Sequence, residues 1–377
     1  MAQPFGRRVT AIFIFDTLEL GGAERQGVLL ATYLRDHCDV DVVVYGLTGA
    51  PGRLAQLCDE RGIRWRAVDL AWRSDLVGAP ANALALHRLA LALRAEHPDL
   101  ILPYTFFSNV IAGLVWRRTG ARACVWNQRD AGFYLEGFHP WRSAATRLVS
   151  GFVANSQAGA DALRELTGAP VTIVHNGVEL AAPLEDRTVW RSRLAVEEST
   201  FVATMVANLH AHKDHVTLVR AWSELERPNS VLALAGRSEE TGPSLRRLVD
   251  ELGIAASVRF LGAVDDVSGL YAASDVYVHC STSEGLPNAV LEAMASELPV
   301  VATDLPGIRE AVGPAGWPFL VPSGATARLA QQIQRFFDAP ALRREVGKNA
   351  AERIRSELSA SRMCETMVRY LTSLWKP

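Results

Sequence analysis

Short β-rich runs alternate with longer amphipathic segments along almost the whole chain, and the alternation breaks once. No other feature restricts the fold as much. The first series has β-rich runs at 8–15, 41–45, 64–68, 99–102, 123–126, 152–154 and 171–174, with helical segments such as 23–37, 81–96 and 157–166 between them. The second has runs at 201–206, 231–235, 257–261, 276–279 and 299–302. Strands joined through helices predict a parallel sheet covered on both faces. Residues 179–200 interrupt the rhythm with Pro183 and many charges, and read as a linker with a short helix. The last segments, 325–337, 340–355 and 359–374, are predicted helices. A chain of 377 residues is too long for one ordinary core and suits two α/β domains. Ligands of such sheets bind beyond the C-terminal ends of the strands, so the loops leaving those runs are where chemistry is expected.

Composition removes several classes of function. With 49% hydrophobic and 21% charged residues the chain is globular, and a net charge of −2 gives no electrostatic case for nucleic acid. Five scattered cysteines indicate neither a disulfide framework nor a zinc site and suit a reducing compartment. No run reaches the roughly 18 apolar residues of a membrane span. Met1 to Arg8 holds a basic pair, but the apolar run behind it is short and leads to Asp16, as a first strand does and an export signal does not. The cytoplasm is the expected compartment, with peripheral contact at the inner membrane face left open.

The motif richest in chemistry is Ser281-Thr-Ser-Glu284-Gly285-Leu286-Pro287-Asn288-Ala-Val-Leu-Glu292. Gly285 and Pro287 punctuate a turn, and the apolar run after it starts a helix. The first-turn amides of that helix favour an anionic group such as a diphosphate. A carboxylate beside a phosphate is repelled unless it holds hydroxyls, so Glu284 and Glu292 read as sugar or ribose acceptors. The competing reading is a capped surface helix with two solvated Glu side chains.

Other loops add candidates. Asp16-Thr-Leu-Glu-Leu-Gly21-Gly22-Ala23-Glu24-Arg25-Gln26 follows the first strand, and its two glycines let backbone approach a ligand with amide donors free. Asn127-Gln128-Arg129-Asp130 ends a strand and offers contacts to a leaving group or acceptor, or else an Arg129–Asp130 loop salt bridge. Asn176-Gly177 reads first as a turn. Asn208-Leu-His210-Ala-His212-Lys213-Asp214-His215 places Lys213 at a helix start as a cation for phosphate. The three histidines are not spaced to face one metal ion. Asp275 reads as a brace at a strand start. Aromatics of the first half, Trp65, Trp72, Phe106, Phe107, Trp116, Phe133, Tyr134, Phe138 and Trp141, lie near several arginines in sequence. They meet a lipid headgroup in one reading and form core in the other.

Taken in order, these motifs resemble the retaining GT-B glycosyltransferases of the bacterial group 1 class, glycosyltransferase family 4. The resemblance runs through Gly21-Gly22-Ala23-Glu24, Asn176-Gly177-Val178, Asn208…Lys213, Phe260-Leu-Gly262 with Asp266, Ser283-Glu284-Gly285…Glu292-Ala-Met-Ala, and Pro299-Val-Val-Ala-Thr-Asp304…Gly307…Glu310. It implies an α/β, GT-B architecture of two Rossmann-like domains facing each other across a cleft. An acceptor-binding domain over 1–185 would be joined by a returning helix at about 359–377, and a nucleotide-sugar domain would cover 186–358. It implies that Glu292 holds ribose hydroxyls and that Glu284 holds a sugar hydroxyl near the reacting carbon. Lys213 and the amides near Gly285 and Leu286 would neutralise the diphosphate, and Gly21 and Gly22 would shape the floor under the phosphates. The donor expected is a UDP-hexose or UDP-N-acetylhexosamine, with no metal or other cofactor, and the acceptor a lipid-linked or glycan intermediate of cell-surface polysaccharide.

Three positions depart from the pattern. Asn208 stands where many relatives have Arg, and Arg129 or Arg25 is the expected substitute. Asn127-Gln128-Arg129-Asp130 stands where many have a His. Glu297 stands where Gly is usual before Pro299, and reads as a tolerated helix end. Two alternatives follow: a GT-B nucleotide-sugar epimerase, and a non-catalytic glycosyltransferase-like binding subunit.

Overall fold

The computed structural model describes residues 4–72, 79–137, 139–179, 182–225, 228–238 and 240–375, so Phe138 lies outside the described residues. The chain divides into two compact units, Met1–Gly177 with Ala360–Pro377, and Val178–Ser359.

The first unit is built on a seven-stranded sheet. Its strands are β1 (Val9–Leu18), β2 (Val40–Pro51), β3 (Arg64–Ala67), β4 (Leu100–Pro103), β5 (Ala123–Gln128), β6 (Gly151–Ala154) and β7 (Val171–Ile173), in the order β3-β2-β1-β4-β5-β6-β7. Every pairing is parallel. The period-two alternation of a strand sends β1 side chains to two separate cores. Ala11, Phe13 and Phe15 pack with Leu30 and Leu34 of helix Gly22–Cys38 on one face, and Ile12 and Ile14 pack with Leu89 and Leu93 of helix Ala79–Ala95 on the other. The C-terminal helix Ala360–Ser373 adds Met363, Cys364, Met367 and Leu371 to the first of these cores.

The second unit repeats the plan with six strands: β8 (Phe201–Val206), β9 (Ser230–Ala235), β10 (Val258–Gly262), β11 (Val276–His279), β12 (Val300–Thr303) and β13 (Leu320–Val321), ordered β10-β9-β8-β11-β12-β13 and again all parallel. In each sheet the strand order reverses beside its first strand, between β1 and β4 and between β8 and β11. Such reversals open a crevice at the carboxyl ends of the strands.

All the expected strands form. A two-residue strand, β13, is too short to leave a periodic signal. The break between the units falls at Gly177/Val178, ahead of the expected 185/186. Residues 178 and 184–185 are tied to the second unit: Val178 bridges to Ser359, and the Leu184 and Glu185 amides donate to Asp266. Asp266 also caps helix Val267–Ala273 and accepts from Trp190 Nε1, so one buried carboxylate fastens the linker to the sheet's helical layer.

Candidate active site

At the reversal of the second sheet, two loops meet. The one leaving β8 makes a tight turn at Ala211–Lys213, and Asp214 then adopts a left-handed conformation (φ 43°) and caps helix His215–Ser223 through the Thr217 amide. The other loop leaves β11. The His212 carbonyl stitches them together, accepting from the Thr282 amide at 2.8 Å and from Ser281 Oγ at 3.0 Å. This stitch brings Lys213 to Glu284 although 71 residues separate them: Nζ lies 2.5 Å from Oε1. His279 Nε2 lies 2.8 Å from the same oxygen, and the Tyr277 hydroxyl lies 3.1 Å from His279 Nδ1. Burial pushes the Glu284 carboxyl up, but the His279 hydrogen bond and the Lys213 charge outweigh it and hold the group well below the usual carboxylate range.

The turn beyond Glu284 is shaped by a close backbone approach. The Gly285 carbonyl packs on Gly307, where a β-carbon would lie 1.5 Å from that oxygen. Only glycine fits there. Helix Asn288–Ala295 then begins at Pro287 without a side-chain cap. Glu292 sits on it, partly buried, and with Glu284 it pushes the buried Tyr277 phenol up, second to burial itself. Leu286 is buried under the turn.

Around this centre, Asn208 Oδ1 accepts from the Arg237 amide at 3.0 Å. Arg237 is exposed, and no motif in the sequence marked it as a neighbour of Asn208. The His210 and His212 rings stack at 5.6 Å, while His215 is buried with neither ring nitrogen hydrogen-bonded. Burial pushes His215 down to about 4, and His279 and Lys213 act in the same direction. Among the described residues, no three His, Cys, Asp or Glu side chains gather to hold a metal.

Gly21, Gly22 and Arg129 lie in the first unit. Gly21 precedes helix Gly22–Cys38, but its amide is not free as expected. The Glu24 carboxylate folds back over it and accepts from the Glu24 and Gly21 amides. Burial and the nearby Asp16 charge push Glu24 up. Arg129 leaves the end of β5, stacks over Tyr104 at 5.1 Å and donates to Asn176 Oδ1 at 2.6 Å. Its Nε is out of water and unpaired, and Asp130 instead accepts from the Gly132 amide, so the Arg129–Asp130 loop bridge gives way to these partners. Asn127 and Gln128 are strand residues, buried and internally bonded, and Asn127 donates to the Pro103 carbonyl. Gln26 clamps the Asn176-Gly177 turn through both the amide and the carbonyl of Gly177.

Comparison with known proteins identifies the family. Residues 186–353 match the family described as glycosyl transferases group 1, and residues 20–182 match glycosyltransferase family 4. The chain is 32% identical to EpsD of Bacillus subtilis, a glycosyltransferase by name, across 71% of this chain and 75% of EpsD. It is 27% identical to LpsD of Rhizobium meliloti, a lipopolysaccharide core biosynthesis glycosyltransferase, across 81% of this chain and 89% of that one. The structure of Anabaena HepE in complex with UDP and glucose matches with a TM-score of 0.85 at 23% identity, covering 97% of this chain and all of HepE (100%). The chain therefore belongs to the group 1 glycosyltransferases and has the GT-B fold.

Proposed function

We propose that this glycosyltransferase moves a hexosyl or N-acetylhexosaminyl group from a UDP-sugar, with retention, to a lipid-linked or glycan acceptor of cell-surface polysaccharide assembly. The observation that carries the reading is the Lys213–Glu284 pair: an ammonium and a charged carboxylate held together at a sheet reversal, beside the start of a helix. An ammonium at a helix N-terminus suits a departing diphosphate, whose charge grows as the glycosidic bond breaks. A carboxylate that stays ionised beside it suits sugar hydroxyls.

Lys213 and the Gly285 and Leu286 amides then neutralise the diphosphate, each good donor supplying ~3–4 kcal/mol to the transition state. With these donors the reading needs no metal or other cofactor. Glu284 accepts from a sugar hydroxyl, Glu292 from the ribose, and Asn208 stands on the Lys213 loop as a further polar contact. In the first unit, Arg129 serves the acceptor, and Gly21 and Gly22 take a phosphate once the Glu24 carboxylate swings off the Gly21 amide. Front-side transfer follows from assigning both carboxylates of the motif, Glu284 and Glu292, to hydroxyls, which leaves neither to act as a covalent nucleophile. UDP is supported by HepE, solved with UDP and glucose, and the acceptor class by LpsD. No helix among the described residues is long and apolar enough to cross a membrane. Phe133 and Tyr134, 65% and 54% exposed, support peripheral contact by a cytoplasmic enzyme.

The test is a thermal-shift screen against UDP-, GDP-, ADP- and dTDP-sugars, with and without EDTA. The expected outcome is an EDTA-insensitive rise with the UDP-sugar. A rise with another base, or one that EDTA removes, would sink that part of the reading. The anomeric configuration of the transferred sugar, read by proton NMR, decides retention.

A further inference from the structure

We propose that His279 is a positioning residue: it holds Glu284 in place when the donor's diphosphate draws Lys213 away. The inference rests on the donor reading above.

One carboxylate oxygen, Glu284 Oε1, is shared by two partners, Lys213 Nζ at 2.5 Å and His279 Nε2 at 2.8 Å. The partners differ in freedom. Lys213 rides on a surface turn and its side chain is 20% exposed, whereas the His279 side chain is 1% exposed at the end of β11. An ammonium on a four-carbon stem can swing to an anionic ligand, but a ring packed inside a strand cannot. Once Lys213 moves to a diphosphate, Glu284, with its side chain only 10% exposed, would without His279 keep its charge with no partner. A buried charge stripped of its partner opposes whatever event stripped it. His279 removes that opposition.

Tyr277 makes a neutral histidine sufficient. Its hydroxyl lies 3.1 Å from His279 Nδ1 and 3.4 Å from the Val206 carbonyl, so the ring nitrogen is the nearer acceptor. A hydroxyl donating to Nδ1 leaves the ring proton on Nε2, aimed at Glu284. Tyr277, His279 and Glu284 thus form a line from the core to the site. His279 acts through Glu284 and does not itself reach the donor.

The test is calorimetric titration of the full chain with UDP, with GDP, ADP and dTDP in parallel. His279→Leu is expected to weaken the preferred diphosphate about tenfold or more. His279→Gln, whose amide nitrogen stands near the position of Nε2, is expected to restore most of the affinity. In a Glu284→Gln background the His279→Leu loss is expected to disappear, because no charge is then left behind; the double-mutant cycle isolates that coupling. Undiminished affinity in His279→Leu overturns the inference and leaves the donor reading standing. An equal loss in the Glu284→Gln background overturns it too, since His279 would then be merely structural. Failure of every diphosphate to bind the native protein overturns both. Should His279→Leu not fold, by circular dichroism, Tyr277→Phe carries the same test: a smaller loss, again absent with Glu284→Gln, is expected, and no loss overturns the inference.

Discussion

Glu284 keeps its charge against the pull of burial, held first by the His279 hydrogen bond and then by the Lys213 charge. Replacing Lys213 with Ala is therefore expected to lower kcat by about 10²–10³, as loss of one fixed transition-state donor does, with the fold intact by circular dichroism. Transfer of labelled sugar measures it, and unimpaired turnover would exclude Lys213 from the chemistry. Acid is expected to act on the second unit in two windows. His215 has its folded pKa lowered from 6.5 to about 4, so its penalty is absent above 6.5, grows as pH falls and is complete below about 4, on the order of 3 kcal/mol. Glu284 has its folded value lowered from 4.5, so its contribution is present above 4.5 and is lost as pH falls through the folded value. Urea unfolding against pH should show His215→Leu flattening the upper window and Glu284→Gln only the lower. The places of Glu284, Glu292 and Lys213 on loop, helix and helix start were legible because turn and helix signals fix them. His279 was not: a histidine on a buried strand has no periodicity of its own, and its partners are visible only once β11 is placed. Arg129 was legible as a strand-end cation, but its partners Tyr104 and Asn176 come from distant loops.

Two backbone positions decide how the elements around the site fit. Glu297 follows helix Asn288–Ala295 with φ 60°, in the left-handed region. A glutamate in this conformation has a conformational cost, on the order of 1–2 kcal/mol. Glu297→Gly is expected to raise stability by about 1 kcal/mol, since glycine gives back part of the gain in chain entropy. An unchanged urea midpoint would contradict the strain. Gly307 is the reverse case. An alanine β-carbon would meet the Gly285 carbonyl at 1.5 Å and the Glu284 carbonyl at 2.9 Å, so the turn has to move. Gly307→Ala is expected to lose about 1–3 kcal/mol and weaken nucleotide binding together. A stable variant with native affinity would show that the turn tolerates displacement. The sequence placed a turn at Gly285–Pro287 and another before Gly307, but that the two backbones touch is a fact of packing.

At the scale of the molecule, the chain leaves its first unit at Gly177 and returns at Ala360, so the first core is completed by residues that follow the whole second unit in sequence. Among the described residues each cluster of buried apolar side chains draws on one unit only. The C-terminal helix belongs with β1 and β2: Met367 and Leu371 are 1% and 0% exposed in the same cluster as Phe13 and Val44. The regular alternation of strands and helices made both sheets readable from sequence. The ownership of a terminal helix was readable only through the resemblance, because an amphipathic face does not say which core it covers. Truncating a buried Leu or Met to Ala costs about 2–5 kcal/mol. Leu371→Ala is therefore expected to loosen the first unit by that amount while the second keeps its own core. Hydrogen exchange followed by mass spectrometry reads the two separately: faster exchange in β1 and β2 with β8 and β11 unchanged is the expected result. Equal acceleration in both sheets would mean that the units share one cooperative unfolding step. That would require a coupling between their stabilities that the separate composition of their cores does not supply.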